Sequence, residues 1–98
     1  MIYNVLVVED EALIAEGIKF LIERMAPECH VIGLAYDGLQ GYEKAMELKP
    51  HIILTDIRMP ECDGIEMVRR LKEAGNPARF IILSGYADFK YAKSAITL

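Results

Sequence analysis

The chain has 98 residues, 53% hydrophobic and 27% charged, which suits one packed domain and excludes wholesale disorder. With 11 basic residues against 15 acidic ones, the net charge is −4, so the chain lacks the basic surplus that nonspecific nucleic-acid binding requires. Apolar runs reach only four residues, as in Val5 to Val8, and no basic segment leads into a longer one, so neither a membrane span nor a signal peptide is expected.

Strand and helix patterns alternate. Tyr3 to Val8 (YNVLVV) is almost unbroken in apolarity, as a parallel strand covered on both faces should be. Glu11 to Met25 carries Leu13, Ile14, Gly17, Ile18, Leu21, Ile22 and Met25 at helical spacing, and Pro27 stops it. Val31 to Tyr36 reads as a second strand. Asp37, with Gln40 three residues on, reads as the N-cap of a helix running to about Leu48. Gly41 inside that helix costs roughly 1 kcal/mol relative to Ala. His51 to Asp56 (HIILTD) is a third strand, and Met59 to Cys62 is a loop. Asp63 to Glu66 has capping-box spacing for a helix to about Ala74, broken by Gly75-Asn76-Pro77. Arg79 to Ser84 (RFIILS) is a fourth strand, and Asp88 onward is helical in pattern. The order βαβαβαβα predicts one domain over 1–98: an α/β fold with a parallel sheet, right-handed crossovers and helices on both faces.

Open parallel sheets place their chemistry beyond the carboxyl ends of the strands. Those ends carry Glu9, Asp10 and Glu11 after strand one, Asp56 after strand three, and Ser84-Gly85 after strand four. In strand order 2-1-3-4, strands one and three are neighbours and their shared edge is the topological switch point, where Glu9, Asp10 and Asp56 would converge. A lone acid at a strand end ordinarily begins a helix, and a terminal Ser is often a turn residue. Acids at two adjacent ends ask for more. Like charges in one cleft repel unless a cation joins them, and carboxylate, carbonyl and water oxygens suit Mg²⁺, or Mn²⁺ with the same ligands. A carboxylate there can attack phosphorus to give an aspartyl phosphate. Asp56, alone at the end of a buried strand, is the candidate nucleophile, and Ser84 can donate a hydrogen bond to a phosphoryl oxygen.

The segments VLVVEDE (5–11), ILTDIRMPECDGIEMVRRL (53–71) and IILSGYADFKYAKSAI (81–96) closely resemble the receiver domain of bacterial two-component response regulators. The wording DIRMP and LSGYADFKYA looks most like receivers attached to AraC-type helix-turn-helix transcription factors. The resemblance implies a flavodoxin-like doubly wound sheet of order 2-1-3-4-5. It implies Asp56 as phospho-acceptor, Asp10 as a direct Mg²⁺ ligand, Glu9 as a ligand through water and the backbone carbonyl of Arg58 as a further ligand. Ser84 matches the hydroxyl residue that turns toward the phosphoryl group, and Pro60 and Gly64 match the loop that shapes the site. A sensor histidine kinase is the implied donor, with DNA reached only through an output domain outside this chain. The family's fifth strand and helix, and the lysine ending that strand, would follow Leu98, so the chain reads as an incomplete receiver.

Several further readings accompany this one. Strand four, left as an apolar edge, is expected to favour self-association or a homodimer. Cys29 and Cys62 form no CxxC pattern, so no disulfide framework or zinc site is expected, and the location is expected to be cytoplasmic. His30 and His51 lie at strand starts, away from the acids. A haloacid-dehalogenase-like phosphohydrolase would need a second acid two residues after its nucleophile, where this chain has Arg58. A flavodoxin-like cofactor binder would need a phosphate loop where Glu9-Asp10-Glu11 stand. A receiver-shaped interaction module that is not phosphorylated is the remaining alternative.

Overall fold

The structure is a computed structural model, and it describes residues 1–83. Its elements are β1 (Tyr3–Val8), α1 (Ala12–Met25), β2 (Cys29–Ala35), α2 (Gly38–Leu48), β3 (Ile52–Asp56), α3 (Gly64–Glu73) and β4 (Arg79–Leu83). All strand pairs are parallel, and the sheet order is β2-β1-β3-β4. Element boundaries fall within two residues of those expected. The helix expected from Asp88 onward lies outside the described residues, as does Ser84.

Alternation along the strands explains why they read as continuously apolar. Leu6, Val8, Ala35 and Ile53 face α2 and α3, where they pack with Ala45, Met67, Val68 and Leu71. Val5, Val7, Val31 and Leu54 face the other way, against Ile18 and Ile22 of α1. With a helix layer on each face, every strand position needs an apolar side chain.

Both capping predictions hold. Asp37 Oδ1 accepts the Gln40 N–H at 2.8 Å, and Gln40 Oε1 accepts the Tyr36 N–H at 3.1 Å. Asp63 Oδ1 accepts the Glu66 N–H at 2.8 Å. Gly41, a weak helix former, is explained by packing: a Cβ there would lie 2.5 Å from Met67 Sδ and 3.1 Å from both Val8 methyls. The missing side chain lets α2 approach the sheet.

The broad apolar stripe expected on α1 is only partly used. Ala15 is buried and Ile18 and Ile22 half-buried, whereas Leu13 is 88% exposed and Leu21 and Met25 are also exposed. The helix packs on β1 and β2 through one narrow line of residues. Spacing showed that these residues share a side of the helix, and packing against the sheet covers only part of that side.

The two outer strands differ. β2 carries a register shift opposite Val5/Leu6, and Lys44 from α2 donates to its Leu34 carbonyl. β4 pairs with β3 in uninterrupted register from Arg79 to Leu83, and Ile81 on it is half exposed. A bulge and a lysine are devices that discourage further pairing. Among the described residues, β2 has the bulge, and Lys44 of α2 occupies one of its carbonyls.

Candidate metal and phosphoryl-acceptor site

β1 and β3 lie side by side, with Val8 registered on Thr55. Their chains therefore leave the sheet together, and the residues that follow Val8 meet Asp56. Glu9, Asp10 and Asp56 each offer a carboxylate oxygen, and these oxygens lie within 4.8 Å of one another. Glu9 is buried, at 7% exposure, while Asp10 and Asp56 are half-buried.

Local hydrogen bonds hold two of these acids in place. Glu9 Oε2 accepts the Glu11 N–H at 3.0 Å, the Glu9 N–H donates to the Ala35 carbonyl at 2.9 Å, and Asp56 Oδ1 accepts the Ile57 N–H at 2.8 Å. Glu11 occupies the N-cap of α1 without a side-chain cap bond, so Glu9 supplies an acceptor at that helix start. The helix-start role and the clustered role coexist in one carboxylate. Burial raises the Glu9 pKa above the usual carboxylate range. The Glu11 amide opposes this, while the neighbouring carboxyls of Asp10 and Asp56 add to it.

This donor set fits a hard divalent cation. It consists of carboxylate oxygens within 4.8 Å of one another, with enough negative charge that a cation would relieve repulsion. Arg58 follows on the β3–α3 loop with an exposed side chain, between the buried Ile57 and Met59. His51 and His30 stand at the other end of the sheet. His51 Nδ1 accepts the Asn4 N–H at 2.9 Å and its ring meets Tyr3 edge-on, while His30 Nδ1 lies 3.4 Å from Glu23 Oε2.

Two features escaped the sequence reading. Thr55 is fully buried, and its hydroxyl donates to the Asp56 carbonyl at 2.8 Å, tying the end of β3. Gly64, expected only to shape the loop, packs so closely that a Cβ would lie 2.1 Å from that same carbonyl oxygen, and its N–H donates to the Ile57 carbonyl at 2.8 Å. The first joins a side chain to the next residue's carbonyl and the second brings backbone together across the β3–α3 loop, and no residue pattern announces either.

Comparison with known proteins supports the same assignment. Residues 5–98 match the response regulator receiver domain family. The chain is 37% identical over 94 residues to the uncharacterized transcriptional regulatory protein YesN of Bacillus subtilis, covering 96% of this chain and 26% of that protein. It is 38% identical over 81 residues to the nitrate/nitrite response regulator protein NarL of Escherichia coli, covering 83% of this chain and 37% of that protein. The response regulator domain of Thermotoga maritima CheB superposes with a TM-score of 0.84 at 36% identity, covering 97% of this chain and 73% of that one. The chain thus spans about a quarter to a third of these curated relatives' length. With this sheet order and a family match over nearly its whole length, the chain belongs to the response regulator receiver domain family.

Proposed function

We propose that this domain is a phospho-accepting switch in which Asp56 takes a phosphoryl group from a histidine kinase in the presence of Mg²⁺. One observation carries the reading: acids 47 and 46 positions apart in sequence, Glu9 and Asp10 against Asp56, present oxygens within 4.8 Å at two adjacent strand ends. Glu9, Asp10, Asp56 and the Arg58 carbonyl would hold the cation. Bound there, Mg²⁺ or Mn²⁺ would offset charge on the phosphoryl oxygens.

The remaining steps fall to the chain itself. The Ile57 N–H fixes one oxygen of the Asp56 carboxylate, so the nucleophile is oriented before the donor arrives. An Asp56 oxygen forms a bond to phosphorus as the phosphorus–nitrogen bond to the kinase imidazole breaks, and that imidazole leaves with the bonding pair. Ser84 would donate a hydrogen bond from its hydroxyl to a phosphoryl oxygen. The domain is regulatory rather than an enzyme in this reading. It acts in the cytoplasm, and its output is transcriptional through a DNA-binding part outside this chain; two relatives are named as transcriptional regulatory proteins.

The test uses Mg²⁺ with a small phosphodonor such as acetyl phosphate, followed by intact mass. A gain of one phosphate that disappears in Asp56→Asn and on hydroxylamine treatment is expected. No adduct despite ordinary Mg²⁺ binding would instead favour an interaction module, and rapid donor turnover a hydrolase. Self-association is also part of the reading, since among the described residues β4 has an uninterrupted register and a half-exposed Ile81. Sedimentation should show concentration-dependent mass, and a monomer at high concentration would remove this element alone.

A further inference from the structure

The β3–α3 loop, residues 57–63, carries Arg58 and is anchored at both ends. At its start, the Ile57 carbonyl accepts the Gly64 N–H. Near its end, the Cys62 carbonyl accepts the Gly38 N–H at 2.9 Å, although Gly38 belongs to a different helix, at the start of α2. A Cβ on Gly38 would lie 2.2 Å from the Cys62 carbonyl oxygen and 2.8 Å from both its carbonyl carbon and Sγ. Two of those three atoms are backbone, so no rotamer change in Cys62 could make room and the loop itself would have to retreat. Such a retreat would not stay local. The Cys62 N–H donates to the Pro60 carbonyl at 2.7 Å, Glu61 between them sits at φ 68°, and Met59 and Cys62 are both packed in the core beside Val8. Arg58 lies directly before this wound segment.

We propose that the first turn of α2 is a positioning element for the acidic cluster, with Gly38 gripping Cys62 so that the loop holds the Arg58 carbonyl in register with Glu9, Asp10 and Asp56. Gly38 is a positioning residue and touches no ligand. The inference rests on the cation reading above and deepens it. Asp37 maintains the grip indirectly, since its cap on Gln40 keeps the first turn of α2 wound.

The experiment is Mg²⁺ titration of the chain by calorimetry, with the melting temperature of each variant measured alongside. Gly38→Ala should raise the Mg²⁺ Kd at least fivefold. Ala45→Gly, which loosens the same helix at a buried site away from the loop, should lower the melting temperature and leave Kd unchanged. Asp37→Ala should weaken binding about two- to threefold, and Asp37→Asn, which keeps the cap but not the charge, should restore it. This series also covers failure of Gly38→Ala to fold. A second readout is the reactivity of Cys62, which is 4% exposed. In a Cys29→Ala background, a small thiol reagent should modify Cys62 faster in Asp37→Ala than in the parent, and Mg²⁺ should slow both. Unchanged Kd in Gly38→Ala, or equal loss in Asp37→Ala and Asp37→Asn, overturns the positioning role. If the unsubstituted chain fails to bind Mg²⁺, the cation reading falls first, and the positioning role falls with it.

Discussion

The two ends of the same parallel sheet are built for different work. At the carboxyl end, three acids converge, one of them buried, and backbone from three elements packs too closely for side chains at Gly38 and Gly64. At the amino end, polar groups are dispersed and locally paired. His51 bonds Asn4, His30 stands beside Glu23, and the hollow beside Tyr3, Lys49, His51 and Arg79 is lined by no acid among the described residues. The strands and core are common to both ends. Because all strands run the same way, their exits share one edge, which is where open parallel sheets gather functional groups.

The sharpest way to break this contrast is to fill the tight end. Gly64→Ala should cost about 3 kcal/mol, since its methyl meets the Asp56 carbonyl oxygen and overpacking of that kind forces backbone shifts. Urea unfolding measures it, and a loss below about 1 kcal/mol would show the contact to be soft.

Next in size is the effect of the cation. Mg²⁺ at one hundred times its Kd should raise stability by about 2.7 kcal/mol, through binding to the native state alone. The gain should vanish in Asp56→Asn combined with Asp10→Asn. A gain that persists in the double variant would place Mg²⁺ elsewhere.

The third effect is a pH slope. The folded pKa of Glu9 is raised, chiefly by burial, so the native state holds its proton more tightly than the unfolded chain does. Without Mg²⁺, this group's contribution to stability falls as pH rises from the ordinary carboxylate value through the raised one, and above that the loss is complete. Lowering the pH through the same window recovers it. Glu9→Gln should remove this slope and stabilise the metal-free protein at neutral pH. Identical pH profiles for the two proteins would show that Glu9 is not strained.

The smallest effect belongs to the amino end. His51→Ala should cost about 0.5–1 kcal/mol, the worth of one exposed hydrogen bond to Asn4 and an edge-on ring contact. It should leave Mg²⁺ affinity and phosphate uptake unchanged. A change in either would mean that the two ends communicate.

Much of this molecule was legible in one dimension. Apolar runs at Val5–Val8 and Ile52–Leu54 marked strands covered on both faces. Asp37 and Asp63 marked helix starts, because a cap is a contact between residues three apart. The acids after β1 and β3 could be paired in advance because strand ends are fixed by the pattern that makes the strands. Tertiary structure alone decided which α1 residues are covered, why Gly41 interrupts a helix, and that Gly38 and Gly64 meet carbonyls of the β3–α3 loop. It also set the distance among Glu9, Asp10 and Asp56 and the burial that strains Glu9. The division has a physical cause: periodicity and capping are local energies written in neighbouring residues, whereas close backbone approach and desolvation arise only when segments far apart in the chain are packed together.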